Sequence, residues 1–100
     1  MDVFEAVADP TRRDLLERLR EGPATLSELA APFAMTRQAV TKHLDALVAA
    51  GLVRVRREGR HRVHELRADP LREVEGWLAP YAAAWDRRLE RLGQHLGEDT

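Results

Sequence analysis

One hundred residues with 44% hydrophobic and 33% charged content and a net charge of −1 have the size and balance of one small globular domain, which excludes a disordered or fibrous chain. Cysteine is absent, so disulfides, thiol catalysis and thiolate metal sites are excluded, and any metal would have to use His43, His61, His64, His95 and carboxylates. No window approaches about 18 consecutive apolar residues and no basic-then-apolar leader opens the chain, so no membrane partner is expected and the cytoplasm is the default location.

Val3, Phe4 and Val7 form a short helical opening that ends at Asp9-Pro10, because a residue before proline is pushed out of the helical region. Asp9 caps a second helix with Pro10 at its first position; Leu15, Leu16 and Leu19 face inward and Gly22-Pro23 ends it. Thr25-Leu26-Ser27-Glu28 matches a capping box. It opens a helix over Leu26 to Phe33, which Pro32 shortens. A tight turn then leads to Thr36, the N-cap of a helix over Arg37 to Ala50, giving a helix-turn-helix arrangement.

Helical spacing puts Val40, Leu44, Leu47 and Val48 on a buried stripe of this last helix and Gln38 and Lys42 opposite, with Thr41 and Asp45 on the shoulder. A helix entering a major groove N-terminus first would offer such side chains to base edges and phosphates. Any amphipathic surface helix also has a polar outer face, so this pattern alone leaves both readings open. Gly51 stops the helix, and strands of about 52–57 and 60–66 flank a turn at Glu58-Gly59. Arg54, Arg56, Arg57, Arg60 and Arg62 crowd this hairpin, and arginine forks suit phosphates and narrow minor grooves. Residues 36–67 carry eight basic side chains against three acids, net +5, whereas residues 1–35 and 68–100 are each net −3. A one-signed segment of this kind is the footprint of a polyanion partner, here double-stranded DNA.

Asp69-Pro70 opens a C-terminal helix with apolar residues at Leu71, Val74, Trp77, Leu78, Tyr81, Trp85, Leu89, Leu92 and Leu96. Pro80 predicts a kink or break near Leu78–Pro80. The stripe spans roughly 40 Å at about 1.5 Å per residue, more than a small winged domain covers by itself. Trp77 and Leu78 are expected to close the monomer core. Tyr81, Trp85, Leu89, Leu92 and Leu96, with Val3, Phe4 and Val7, are expected to form a homodimer interface.

The fold class expected is mainly α with a small β-hairpin (α+β): a winged helix-turn-helix with added N- and C-terminal dimerisation helices. Residues 1–100 are read as one such domain, with dimerisation helices at 1–8 and 70–97, the helix-turn-helix at 25–50 and the wing at 52–67.

ADPTRRDLLERL, TLSELAAPFAMTRQAVTKHLDALVAAGLVRVRREGR and the long C-terminal part resemble the ArsR family of bacterial winged-helix repressors over nearly the whole chain. The resemblance implies a homodimeric repressor on a palindromic operator. Thr36, Arg37, Gln38, Ala39, Thr41, Lys42 and His43 would then lie at recognition-helix positions, and Arg57, Arg60 and Arg62 would belong to the wing. His43 is expected to face the flank towards DNA and contact phosphate or steady the motif, and His64 to be a partly buried packing residue. Metal-sensing members carry a Cys pair where this chain has Glu28-Leu29-Ala30-Ala31, and no other ligand set with suitable spacing is evident, so no metal or other cofactor is expected.

No phosphate loop, paired carboxylates or nucleophile-base set supports an enzyme. A winged-helix protein-interaction module and a small-molecule-responsive repressor with a pocket around Trp77, Tyr81 and Trp85 stand as the alternatives.

Overall fold

The computed structural model describes residues 1–98, with side chains through residue 93. Its elements are α1 (Val3–Val7), α2 (Pro10–Arg20), β1 (Ala24–Thr25), α3 (Leu26–Ala30), α4 (Arg37–Ala49), β2 (Val53–Glu58), β3 (His61–Leu66) and α5 (Leu71–Glu98). The strands form one antiparallel sheet in the order β1-β3-β2.

Side-chain caps fix the helix starts. Asp2, Asp9, Thr25 and Thr36 each accept a hydrogen bond from the backbone N–H three residues on, which satisfies donors that the first helical turn leaves free. At Thr25 the capping box is complete, because Glu28 accepts from the Thr25 N–H in return. The resulting hydrogen bonds hold the Glu28 carboxyl below its ordinary value of 4.5.

α4 ends in a Schellman motif: Leu52 N–H donates to the Leu47 carbonyl and Gly51 N–H to the Val48 carbonyl, with Gly51 at φ +79°. The motif turns the chain directly into β2 and buries Leu47 and Leu52 completely. The recognition helix and the wing are thereby joined without a flexible linker. Around them the core gathers Val3, Ala6, Leu15, Leu19, Ala24, Leu29, Val40, Leu44 and Val53.

Several details differ from the sequence reading. α3 stops at Ala30 instead of Phe33, since Pro32 has no N–H to give the Glu28 carbonyl. The hairpin pairs Glu58 with His61, so its two-residue turn is Gly59-Arg60, one residue later than expected. Gly59, at φ +62°, supplies the positive angle that the first turn position requires. β1 pairs Ala24 with His64 and Thr25 with Val63, and two residues after a Gly-Pro stop are too few to show alternation in sequence.

Val48 lies outside the buried stripe and is exposed, because the stripe centres on Val40, Leu44 and Leu47. α5 runs through Pro80 without a break. The carbonyl that loses its donor there belongs to Gly76, an exposed residue, so solvent can serve it.

The molecule measures 65 × 25 × 21 Å with a radius of gyration of 18.6 Å, against roughly 13 Å for a compact chain of this length. The excess is α5, which packs Leu71 and Val74 on the core and then projects away from it.

Candidate nucleic-acid interface

The cap at Thr36 sets α4 so that its first turn stands free of the body. Thr36, Arg37, Gln38 and Lys42 are exposed, and Ala39 and Thr41 are half-buried. Neither Arg37 nor Lys42 has an acidic partner among the described residues.

His43 departs from this row. It turns towards the start of α2, with Nδ1 3.6 Å from Asp9 Oδ2 and only 24% of its side chain exposed. Of the two roles expected of it, phosphate contact and steadying the motif, the contact with Asp9 fits the second: one helical step from Lys42 takes a side chain off the outer face and onto the flank that packs on α2.

The pleat divides the wing into two unlike faces. Arg54, Arg56 and Glu58 of β2 share one face with His61, Val63 and Glu65 of β3. On it Arg56 Nε donates to Glu65 at 3.1 Å and Arg56 Nη1 to Glu58 at 3.2 Å, while Arg54 lies 3.7 Å from Glu65. The hydrogen bond to Glu65, followed by the charge of Glu58, holds the Arg56 guanidinium above its ordinary value.

The opposite face carries Val53, Val55 and Arg57 against Leu66, His64 and Arg62. Arg57 and Arg62 are direct cross-strand partners, both exposed and neither paired with an acid among the described residues. Like charges directly opposite one another destabilise a hairpin, so this arrangement is relieved by an anion. Arg60 adds a third exposed cation in the turn, also without an acidic partner among the described residues. Arg57, Arg60 and Arg62 are therefore available to a polyanion, whereas Arg54 and Arg56 are neutralised by neighbouring acids.

A cleft of ≈ 240 Å³ separates the wing from α3 and α4, lined by Ser27, Thr41, Asp45, Arg60, Arg62 and His64 among others. His64 is buried beneath it, and its Nδ1 has no hydrogen-bond partner. Burial pushes its imidazole below the ordinary 6.5, so the ring is neutral in the fold. The expected packing role holds, with deeper burial than the sequence suggested.

The apolar residues proposed from sequence for an interface divide in two. Val3 is inside the monomer core, and Phe4 and Val7 are partly buried against it. Trp77 and Leu78 do not close that core. Trp77 is 58% exposed and meets Phe4 edge-on at 5.9 Å and Tyr81 at 5.3 Å. Tyr81, Trp85, Leu89 and Leu92 are between 52% and 65% exposed and continue the same stripe. Leu96 and His95 have side chains outside the described residues. Among the described residues no three His, Asp or Glu side chains form a group that could hold a metal ion.

Sequence reasoning took Asp9 only as a helix cap and had no signal for its approach to His43, because the contact joins residues 34 positions apart.

Comparison with known proteins gives a consistent picture. A family described as a helix-turn-helix domain matches residues 7–56, from the end of α1 through most of β2. The chain is 37% identical to the HTH-type transcriptional regulator Rv2034 of Mycobacterium tuberculosis, over 97% of this chain and 91% of that one. It is 28% identical to the transcriptional repressor SdpR of Bacillus subtilis, covering 88% of this chain and 98% of the relative. Among solved structures, an ArsR family transcriptional regulator superposes with a TM-score of 0.73 at 44% identity, covering 83% of this chain and 86% of that one.

Proposed function

The chain belongs to the ArsR family of winged helix-turn-helix transcriptional regulators, and from that premise we propose that it acts as a homodimeric repressor on an inverted-repeat operator. The observation that carries this reading is the sorting of cations: Arg37 and Lys42 on α4 and Arg57, Arg60 and Arg62 on the wing are exposed and have no acidic partner among the described residues, while Arg54 and Arg56 are neutralised by acids on the other wing face. A structure serving only solubility would have no reason to leave one face unneutralised.

In this mechanism α4 enters the major groove N-terminus first. Gln38, Thr41 and Arg37 read base edges, arginine favouring guanine and glutamine adenine, with Ala39 allowing close approach. Lys42 and the N–H groups of Thr36 and Arg37 at the start of α4 hold phosphates, the Ala39 N–H being taken by the Thr36 side chain. Arg57, Arg60 and Arg62 grip the flanking backbone and supply affinity that is salt-sensitive and largely independent of sequence.

The second copy covers α5. A stripe with both tryptophans, Tyr81, Leu89 and Leu92 half or more exposed exceeds the scattered apolar surface usual on a monomer. Pairing through it, with Phe4 and Val7 at its edge, would set two α4 helices about 34–36 Å apart, one turn of duplex. A dimer seated there occludes the promoter.

The test is selection of bound duplexes from a random pool by purified protein, together with its mass by light scattering. An inverted repeat with half-sites about one turn apart and twice the monomer mass are expected. A monomeric mass at micromolar concentration, or no enrichment by folded protein, overturns the proposal.

A further inference from the structure

The contacts around Asp9 extend beyond those of a helix cap. Asp9 Oδ2 accepts from the Arg12 N–H at 3.0 Å, which fixes the carboxylate at the start of α2. The Arg12 side chain does not compete for it: Nε donates to the Ala6 carbonyl and Nη2 to the Glu5 carbonyl, both at 2.8 Å, while Arg13 Nη1 donates to the Val7 carbonyl at 2.8 Å. These three bonds clasp the C-terminal end of α1 to α2 and leave the Asp9 carboxylate directed at α4. There it meets His43, which lies next to Lys42 on the recognition helix. α1 is in turn tied to α5 through Phe4 and Trp77.

We propose that Asp9 is a positioning residue for DNA recognition, acting through His43 to hold the recognition helix at a fixed angle against the first turn of α2. The proposal rests on the reading of α4 as the base-reading helix, and it adds a residue outside both the helix-turn-helix and the wing. A helix packed on its core by Val40, Leu44 and Leu47 alone can still rock about that line of contact. A polar contact on its flank removes that freedom, and displacements of the order of an ångström matter for bidentate base contacts.

The two roles of Asp9 can be separated because asparagine caps a helix about as well as aspartate but carries no charge. Asp9→Asn should keep the thermal stability of the parent. In the DNA-free protein it should speed amide hydrogen exchange across Arg37–Ala49 without speeding it in Pro10–Arg20. On the inverted repeat recovered by selection it should bind about two- to five-fold more weakly per half-site, the range of a partly exposed polar pair, with binding to random duplex unchanged.

His43→Gln should give the same loss, and Asp9→Asn combined with it should lose nothing further. His43→Lys, which places a cation beside Asp9, should keep discrimination between selected and random duplex. Parent-like exchange in α4 of Asp9→Asn overturns the proposal. So does an equal loss on both duplexes, or additive losses in the double variant. Hydrogen exchange needs no DNA, so it decides the point even if no operator is recovered, the outcome that would sink the functional reading instead.

Discussion

Replacing Arg62 with alanine tests the division of the wing into an open and a neutralised face. Arg62 stands opposite Arg57 with no acid beside either, whereas Arg56 on the reverse face is held by Glu65 at 3.1 Å and Glu58 at 3.2 Å. If Arg62 holds a phosphate, each protomer of a bound dimer loses one contact, and the slope of log affinity against log salt falls by about 1.8. Between about 50 and 200 mM salt each contact accounts for roughly 3.5-fold in affinity, so the variant's total loss over that range is smaller than the parent's by about twelve-fold. Removing one of two facing like charges should also stabilise the free protein by a few tenths of a kcal/mol, on the order of a cross-strand pair. Fluorescence anisotropy on a random duplex at four salt concentrations reads the slope, and urea unfolding reads the stability. Arg56→Ala is the control: its guanidinium is already satisfied, so the salt slope should stay near the parent's. Equal changes of slope in the two variants would refute the two-faced reading of the wing.

Three further outcomes follow from the same structure. Leu47, fully buried where α4 turns into β2, should cost about 2–5 kcal/mol when truncated to alanine, measured by denaturant unfolding. His64 is neutral in the fold because burial lowers its pKa, so unfolding takes up a proton; its contribution to stability is full above the ordinary 6.5 and is lost as pH falls below that value. Thermal unfolding between pH 8 and pH 5 should show this loss in the parent below about pH 6.5, and a flatter profile over that lower half of the range in His64→Phe. Trp85→Glu places a charge in the middle of the exposed stripe of α5 and should give a monomeric mass by light scattering while the circular dichroism of the helices is retained.

Local signals were legible wherever one or two residues decide the geometry. Asp9-Pro10, the Thr25–Glu28 box, Thr36 and Gly51 marked helix ends that the structure places within a residue or two. The charge reversal between residues 36–67 and the two flanks marked the segment that builds α4 and the wing. What sequence could not supply was the partner of each side chain. The five wing arginines look alike as a string, and only the cross-strand register separates Arg57 and Arg62 from Arg54 and Arg56. The register itself depends on the turn, and placing the turn one residue early moves every cross-strand partner by two places, setting Arg60 instead of Arg62 opposite Arg57. Pro80 reads as a break because a proline removes one hydrogen bond, yet one lost bond beside an exposed Gly76 does not outweigh the rest of a 28-residue helix.

The placement of Trp77 shows the same limit on a larger scale. Amphipathic spacing identified the stripe on α5, and spacing cannot say whether its occupant is the chain's own core or another molecule. The body of this protein is filled by Leu15, Leu29, Leu44, Leu47 and Leu52 together with Val3 from α1, which leaves no room for Trp77 to enter. Core volume therefore decides the matter. Once α1 is drawn inward through Val3 and Ala6, the remaining apolar side chains of the N-terminal helix, Phe4 and Val7, stay partly exposed, and Phe4 meets Trp77 so that α1 and α5 present a single continuous face. A second copy covering that face would press on α1, and α1 is clasped by Arg12 and Arg13 to the helix whose cap meets His43. The route from the proposed dimer face to the recognition helix thus runs through one short helix and one carboxylate, and a change in how two copies pack would reach α4 at Asp9 before it reached the wing.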